Sequence, residues 1–170
     1  MSEQEPTRSR TYSWEDPRPT ACAARGLSGL EYMQRLIKGQ FPSPPIAATL
    51  GFNILEVEFG RAVFEVVPAE YHYNPIGIVH GGLASTLLDS ALGCAIHTTL
   101  PAGTGYTTLE LHINFIWALT DKTGLVRCEG KVLHTGKQVA TAEARIYDEA
   151  GKLYAHATTT CMILTPKASA

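Results

Sequence analysis

Between Asn74 and Asp89 the chain sets a carboxylate, a histidine and two adjacent glycines, residue types able to move protons and to stabilise developing charge. Val79-His80-Gly81-Gly82-Leu83 leads into the longest helical pattern of the sequence. Two glycines at a helix start allow close backbone approach and leave their N–H groups unobstructed. Those amides, at the positive end of the helix dipole, make a ready site for a developing oxyanion. Asp89 stands two turns into the same helix, where propensity does not favour aspartate. An ionised carboxylate buried without partners costs several kcal/mol. Asp89 therefore either meets solvent at a gap in the packing, receives hydrogen bonds as a polar anchor, or acts on a ligand.

The helix itself sharpens the choice. Projected at about 100° per residue, Gly82, Thr86, Asp89 and Gly93 fall on one narrow stripe, with Ser85 and Ser90 at its flanks. Small residues on that stripe leave room for a ligand beside the carboxylate. Ala84, Leu87, Leu88, Ala91, Leu92 and Ala95 cover most of the remaining circumference, as expected of a helix enclosed by a sheet.

The elements that must enclose it are legible on either side. Ser28-Gly29-Leu30-Glu31 is a capping box opening a short helix that ends near Gly39. Pro44 to Gly51 reads as a further short helical turn, with Pro at its start and Gly at its stop. Phe52 to Val67 reads as two strands joined at Phe59-Gly60-Arg61. After the long helix, about residues 82–99, the period changes to two: Leu109, Leu111, Ile113 and Phe115 alternate with polar residues. Further strands are expected at 124–134, 138–148 and 152–164, separated by turn residues. A single long helix between a hairpin and four antiparallel strands predicts an α+β class, with a sheet curled around the helix. Residues 1–26 are polar and rich in Pro, Ser and Thr, so they read as a mobile N-terminal arm before one domain over 27–170. Tyr12 and Trp14 are the groups by which that arm could dock.

Composition narrows the function classes. A net charge of −2 without a basic cluster lacks the footprint of nucleic-acid binding. There is no run of roughly 18 apolar residues, so no membrane span is implied. Cys22, Cys94, Cys128 and Cys161 form no C-x-x-C pair and, with the dispersed histidines, lack zinc-ligand spacing. Cys94, Cys128 and Cys161 read as small buried hydrophobes, and a reducing cytoplasm as the compartment. His97, His112, His134 and His156 stand singly and read as surface or structural groups, while Glu110 and Glu143 read as solvated.

The run from Asn74 through Gly77 and His80-Gly81-Gly82 to Asp89 is similar to the N-x-x-G-x-x-H-G-G-x-x-x-x-x-x-D signature of hotdog-fold thioesterases. It most resembles the phenylacetyl-CoA type, the PaaI-like family. The resemblance extends over roughly residues 45 to 164 and leaves out the first 26. It implies a hotdog fold, an antiparallel sheet wrapped around one long central helix. It also implies an acyl-CoA thioester as substrate, held in a cleft between two subunits of a homodimer or of a tetramer made of two dimers.

Carried over by residue, Asp89 is the general base that activates water or the nucleophile that attacks the carbonyl. Gly81 gives the backbone N–H that polarises the thioester oxygen, help typically worth roughly 3–4 kcal/mol per donor. His80 orients the carbonyl or assists the leaving thiolate, and Asn74 holds the loop or the attacking water. Thr108 corresponds to a small hydroxyl residue facing the partner's aspartate, with Thr107 as the alternative. No metal or redox cofactor is expected, since CoA is part of the substrate and a thioester carries a good leaving group. Trp117-Ala118 departs from the pattern, because relatives often carry a basic residue and a proline there; Lys131 and Lys137 are the cations that could compensate. The loop around Tyr71-His72-Tyr73 is expected to line the acyl pocket, which leaves aryl and medium aliphatic groups open. The rival readings are a hydratase or dehydratase on the same fold, and a non-catalytic acyl-CoA-binding hotdog module. The first places its His and acid differently; the second needs no Asp89, His80 and Asn74 together.

Overall fold

The computed structural model describes residues 7–165; residues 1–6 of the expected arm and 166–170 lie outside the described residues. Its helices are α1 (Pro17–Ala24), α2 (Gly29–Ile37), α3 (Pro45–Leu50) and α4 (Gly81–His97). Its strands are β1 (Phe52–Glu58), β2 (Arg61–Val66), β3 (Gly105–Phe115), β4 (Val126–Thr135), β5 (Val139–Asp148) and β6 (Leu153–Leu164). The sheet order is β1-β2-β4-β5-β6-β3, with every neighbouring pair antiparallel. β3 follows α4 in the chain yet pairs with the last strand, so it and β1 are the two edges. The sheet wraps α4, which is the hotdog arrangement. No helix among the described residues is long and apolar enough to cross a membrane.

Local chemistry sets the element ends. The Ser28 hydroxyl accepts from the Glu31 amide, and the Glu31 carboxylate accepts from the Ser28 amide, each at 3.3 Å. α3 stops at Gly51, whose φ of 73° is left-handed. One helix was not expected. α1 lies inside the stretch read as an arm, capped by Asp16, which accepts from the Arg18 amide at 3.0 Å. Asp followed by Pro is a helix-start signal, and the surrounding Pro and Thr obscured it.

The sheet curls because a row of small residues crosses it under α4. Register pairs Ala62 with Gly130, Gly130 with Ala144, and Ala144 with Ala157. At Gly130 a Cβ would sit 2.4 Å from the Ala91 carbonyl oxygen, so helix backbone rests directly on sheet backbone. Larger side chains fill the space on either side: Leu87, Leu88, Leu92 and Ile96 of α4 are fully buried, as are Val126, Cys128 and Ile146 of the sheet.

Gly130→Ala should therefore push α4 off β4. Overpacking of this kind costs about 1–3 kcal/mol, and a domain of this size loses roughly 2–4 °C of Tm per kcal/mol. Differential scanning calorimetry that finds the Tm of Gly130→Ala unchanged would refute the direct backbone contact.

Candidate active site

The helix start is built from a loop that closes on itself. The Asn74 amide donates to the Ile78 carbonyl at 2.8 Å, and Asn74 Oδ1 accepts from the Ile76 and Ile78 amides at 3.1 and 3.3 Å. Of the two roles expected for Asn74, its carboxamide oxygen takes the loop-holding one. The His80 amide donates to the His72 carbonyl at 2.8 Å, and His80 Nδ1 accepts from the Gly82 amide at 2.7 Å. Acceptance at Nδ1 places the ring proton of neutral His80 on Nε2. The Leu83 amide goes to the His80 carbonyl at 3.0 Å. The Gly81 N–H has no partner among the described residues. A Cβ on Gly81 would lie 3.2 Å from the Phe115 ring, so β3 covers this glycine closely. A cavity of about 330 Å³ opens here, lined by Asn74, His80, Gly81, Phe115, Trp117 and Tyr154 among others.

Asp89 is exposed in the single chain and not entombed. The reason is topological: the stripe carrying it faces past β3, an edge strand, and so the sheet does not close over it. The Thr108 hydroxyl donates to Asp89 Oδ1 at 3.0 Å, which fixes the carboxylate and leaves Oδ2 open. Thr108 and Asp89 thus meet within one chain, where the resemblance implied a hydroxyl facing the partner's aspartate. Thr107 is exposed on the other side of the strand. Ser85 and Thr86 return their hydroxyls to the Gly81 and Gly82 carbonyls at 2.9 Å, within the helix's own first turns.

The room expected on the glycine stripe is taken by the chain's own rings. A Cβ on Gly93 would lie 2.5 Å from the Tyr106 hydroxyl, and one on Gly82 would lie 2.8 Å from His80 Nδ1. Burial pushes the Cys94 thiol up to about 12 and holds the Tyr106 phenol well above its ordinary value, so both stay protonated at neutral pH. A second cavity, of about 500 Å³, lies beyond Tyr106 and is lined by Tyr32, Phe41, Ser90, Cys94 and His97. His97, read as a surface or structural histidine, packs at a tilt between Tyr32 and Tyr106 with centroids 5.6 Å from each. The 71–73 loop lines neither cavity. Tyr71 lies under the Arg10 guanidinium, 4.2 Å from its ring centroid, and the Tyr73 hydroxyl donates to Asp121 at 2.7 Å.

His72 is the positioning group that the sequence reading missed. It is buried, its Nε2 bonds the Leu50 carbonyl at 2.8 Å, and its Nδ1 accepts from the Ala69 amide at 3.0 Å. Its own carbonyl holds the His80 amide, so the His80-Gly81-Gly82 turn hangs from it. The only signal was its position before the Asn74 loop, which a surface histidine shares.

Distance along α4 limits what one chain can do. Gly81 and Asp89 are eight residues apart, about 12 Å at 1.5 Å per residue, and the Gly81 N–H points back from the helix start. An oxyanion donor and an attacking group must both lie within about 3–3.5 Å of one carbonyl. These two cannot serve the same carbonyl from one chain.

Comparison with known proteins places the chain in a family. The thioesterase superfamily profile matches residues 76–155. The 1,4-dihydroxy-2-naphthoyl-CoA hydrolase of Listeria monocytogenes is 30% identical over 105 residues, covering 62% of this chain and 84% of that protein. The crystal structure of a phenylacetic acid degradation-related protein from Ralstonia eutropha is 32% identical with a TM-score of 0.69, covering 77% of this chain and 98% of that one. PaaI of E. coli, at 21% identity and a TM-score of 0.68, shares the fold over 80% of this chain and 94% of its own.

Burial lowers the His72 pKa from 6.5, opposed by its bond to Leu50 and assisted by the Arg10 charge. The folded protein then binds this proton less readily than the unfolded chain. His72 is without cost above pH 6.5, and stability is lost as pH falls below 6.5 toward the folded value. The Tm should drop between pH 7 and 5, and less steeply in His72→Asn, which keeps a donor and an acceptor. Equal slopes in thermal melts of the two proteins would remove His72 as a source of that dependence.

Proposed function

This chain belongs to the thioesterase superfamily, in its PaaI-like hotdog branch, and we propose that it hydrolyses an acyl-CoA thioester to the free acid and CoA. The observation that carries the reading is the pairing of an unoccupied Gly81 amide with an Asp89 carboxylate fixed by Thr108, at opposite ends of one edge strand. Phe115 of β3 packs on Gly81, and Thr108 of β3 bonds Asp89. β3 offers an unpaired backbone edge over its 11 residues, with Leu109 and Phe115 each 57% exposed. A long open edge of this kind calls for a partner. Antiparallel pairing of β3 with its own copy about a two-fold axis sets the Gly81 end of one chain beside the Asp89 end of the other. Two complete sites form per dimer, each drawing on both chains.

In each site the thioester oxygen accepts from the Gly81 N–H of one chain, with His80 Nε2–H within the same turn. Asp89 of the other chain acts through Oδ2, either drawing a proton from water as it attacks the carbonyl or attacking the carbonyl itself. On the water route the C–O bond forms, the C–S bond breaks, and the proton taken by Asp89 passes to the departing thiolate. The acyl group goes to the 500 Å³ cavity, because Tyr106 on its wall stands two residues from Thr108 on the same face of β3. Aryl groups and medium aliphatic chains both fit that volume, and the name of the Listeria relative makes a 1,4-dihydroxy-2-naphthoyl thioester the first to try.

Asp89→Asn keeps the acceptor for Thr108 and removes the base. Its kcat for thiol release from a panel of aryl and medium-chain acyl-CoAs should fall by about 10²–10⁴, with circular dichroism and oligomer size unchanged. Thr108→Val should lose about tenfold, the worth of one hydrogen bond to a charged group. Undiminished thiol release from Asp89→Asn would take the carboxylate out of the reaction, and thermal stabilisation by acyl-CoA without release from the wild type would favour a binding module.

A further inference from the structure

A cation stands beside the helix-start cavity, held by aromatic rings and in no ion pair among the described residues. Trp117 follows β3, is 61% exposed, and donates its amide to the Tyr154 carbonyl at 3.1 Å. Lys152, in the β5–β6 turn, sets its Nζ 4.4 Å from the Trp117 ring centroid and 5.1 Å from that of Tyr154. Both rings line the 330 Å³ cavity that contains Asn74, His80 and Gly81. The neighbouring carboxylate is engaged elsewhere. Asp148 Oδ1 accepts from the Ala150 and Lys152 amides at 3.0 and 2.9 Å, and its Oδ2 accepts from the Tyr154 hydroxyl at 3.1 Å. The Lys152 ammonium forms no ion pair among the described residues.

The other lysines considered for the substrate's phosphates lie elsewhere. Lys131 pairs with Glu129 at 3.3 Å, inside the cluster that Arg61 makes with Glu56, Glu58 and Glu129. Lys137 lies in the β4–β5 turn, at the end of the sheet opposite the β5–β6 turn. Only the β5–β6 end adjoins Gly81, since Phe115 pairs with Ala155 and covers that glycine.

Resting on the acyl-CoA reading, we propose that Lys152, held over Trp117, is the dock for the nucleotide end of CoA, with the pantetheine arm lying in the cavity between it and the Gly81 amide. The ring faces hold the ammonium by attraction to their π-electrons while leaving it hydrated and free to pair with an incoming anion. A lysine meets phosphate as a point charge. The acyl end of the substrate is uncharged at the thioester, and the nucleotide end carries several phosphate charges, so charge complementarity sets the direction of the molecule. Site discrimination follows: a CoA ester gains this contact, and an ester on bare pantetheine does not.

The test compares one acyl group carried on CoA and on pantetheine, using wild type, Lys152→Met and Lys152→Arg. Lys152→Met keeps the stem over the indole and removes the charge. Its KM for the CoA ester should rise about tenfold, the worth of one charge-assisted contact, with kcat unchanged and with KM for the pantetheine ester unmoved. Lys152→Arg should restore most of the difference, and added salt should raise the wild-type KM for the CoA ester alone. Calorimetric titration with adenosine 3′,5′-bisphosphate should give the same tenfold weakening in Lys152→Met. Equal changes with both esters, or bisphosphate binding indifferent to Lys152, would overturn the proposal. If neither ester is cleaved, the hydrolase reading fails, and the bisphosphate titration still decides the dock: Lys152-dependent binding upholds it, and its absence ends it.

Discussion

A rigid helix keeps Gly81 and Asp89 about 12 Å apart, and the rest of the site is arranged around that separation. On the hydrolase reading proposed above, the amide would receive an oxyanion and the carboxylate would deliver water, and the two must converge on one atom. The helix that carries both forbids this within a chain. On that reading the surroundings of α4 prepare two half-sites. One end presents a bare N–H, with the neighbouring amides engaged by His80. The other presents a carboxylate held by one oxygen. β3 runs beside both, touching the first through Phe115 and the second through Thr108.

Close approach is what holds those parts in register. Gly130 lets α4 lie on β4 backbone to backbone, and Gly93 and Gly81 let the Tyr106 and Phe115 rings of β3 lie against the helix. Each glycine answers a particular neighbour in the chain. Such contacts are stiff, because packed interiors have few voids to absorb movement. The carboxylate and the amide are therefore held by rigid elements, and the strand that separates them is also an edge of the sheet.

Much of this was legible in the residues. The change of period from 3.6 to two located α4 and β3, and the turn residues bounded β4, β5 and β6 closely. Asp89 stood out because an aspartate in an apolar helix is anomalous, and His80-Gly81-Gly82 because paired glycines open a helix. What periodicity could not convey was which side of the helix the sheet leaves open. That depends on β3 crossing to pair with β6, a long-range choice with no local signature, and it decided that Asp89 is exposed. The same choice brought Thr108 to its own chain's Asp89. Glycines on the stripe looked like space for a ligand, yet they accommodate Tyr106 and His80, since a missing side chain does not say what fills its place. His72 was hidden because a buried, fully bonded histidine looks in sequence like any other.

The shared site can be tested by splitting it between chains. Asp89→Asn removes the carboxylate from one chain, and Gly81→Pro removes the N–H from the other, at a helix position whose backbone accepts proline once the Phe115 ring gives by a few tenths of an ångström, with circular dichroism confirming that this chain folds. A heterodimer of the two, purified through distinct tags, has one intact site if each site takes Gly81 from one chain and Asp89 from the other. The account predicts that it hydrolyses acyl-CoA at about half the wild-type rate per dimer, although both parental homodimers are inactive. A heterodimer as inactive as its parents would place both groups in one chain's site and contradict the account.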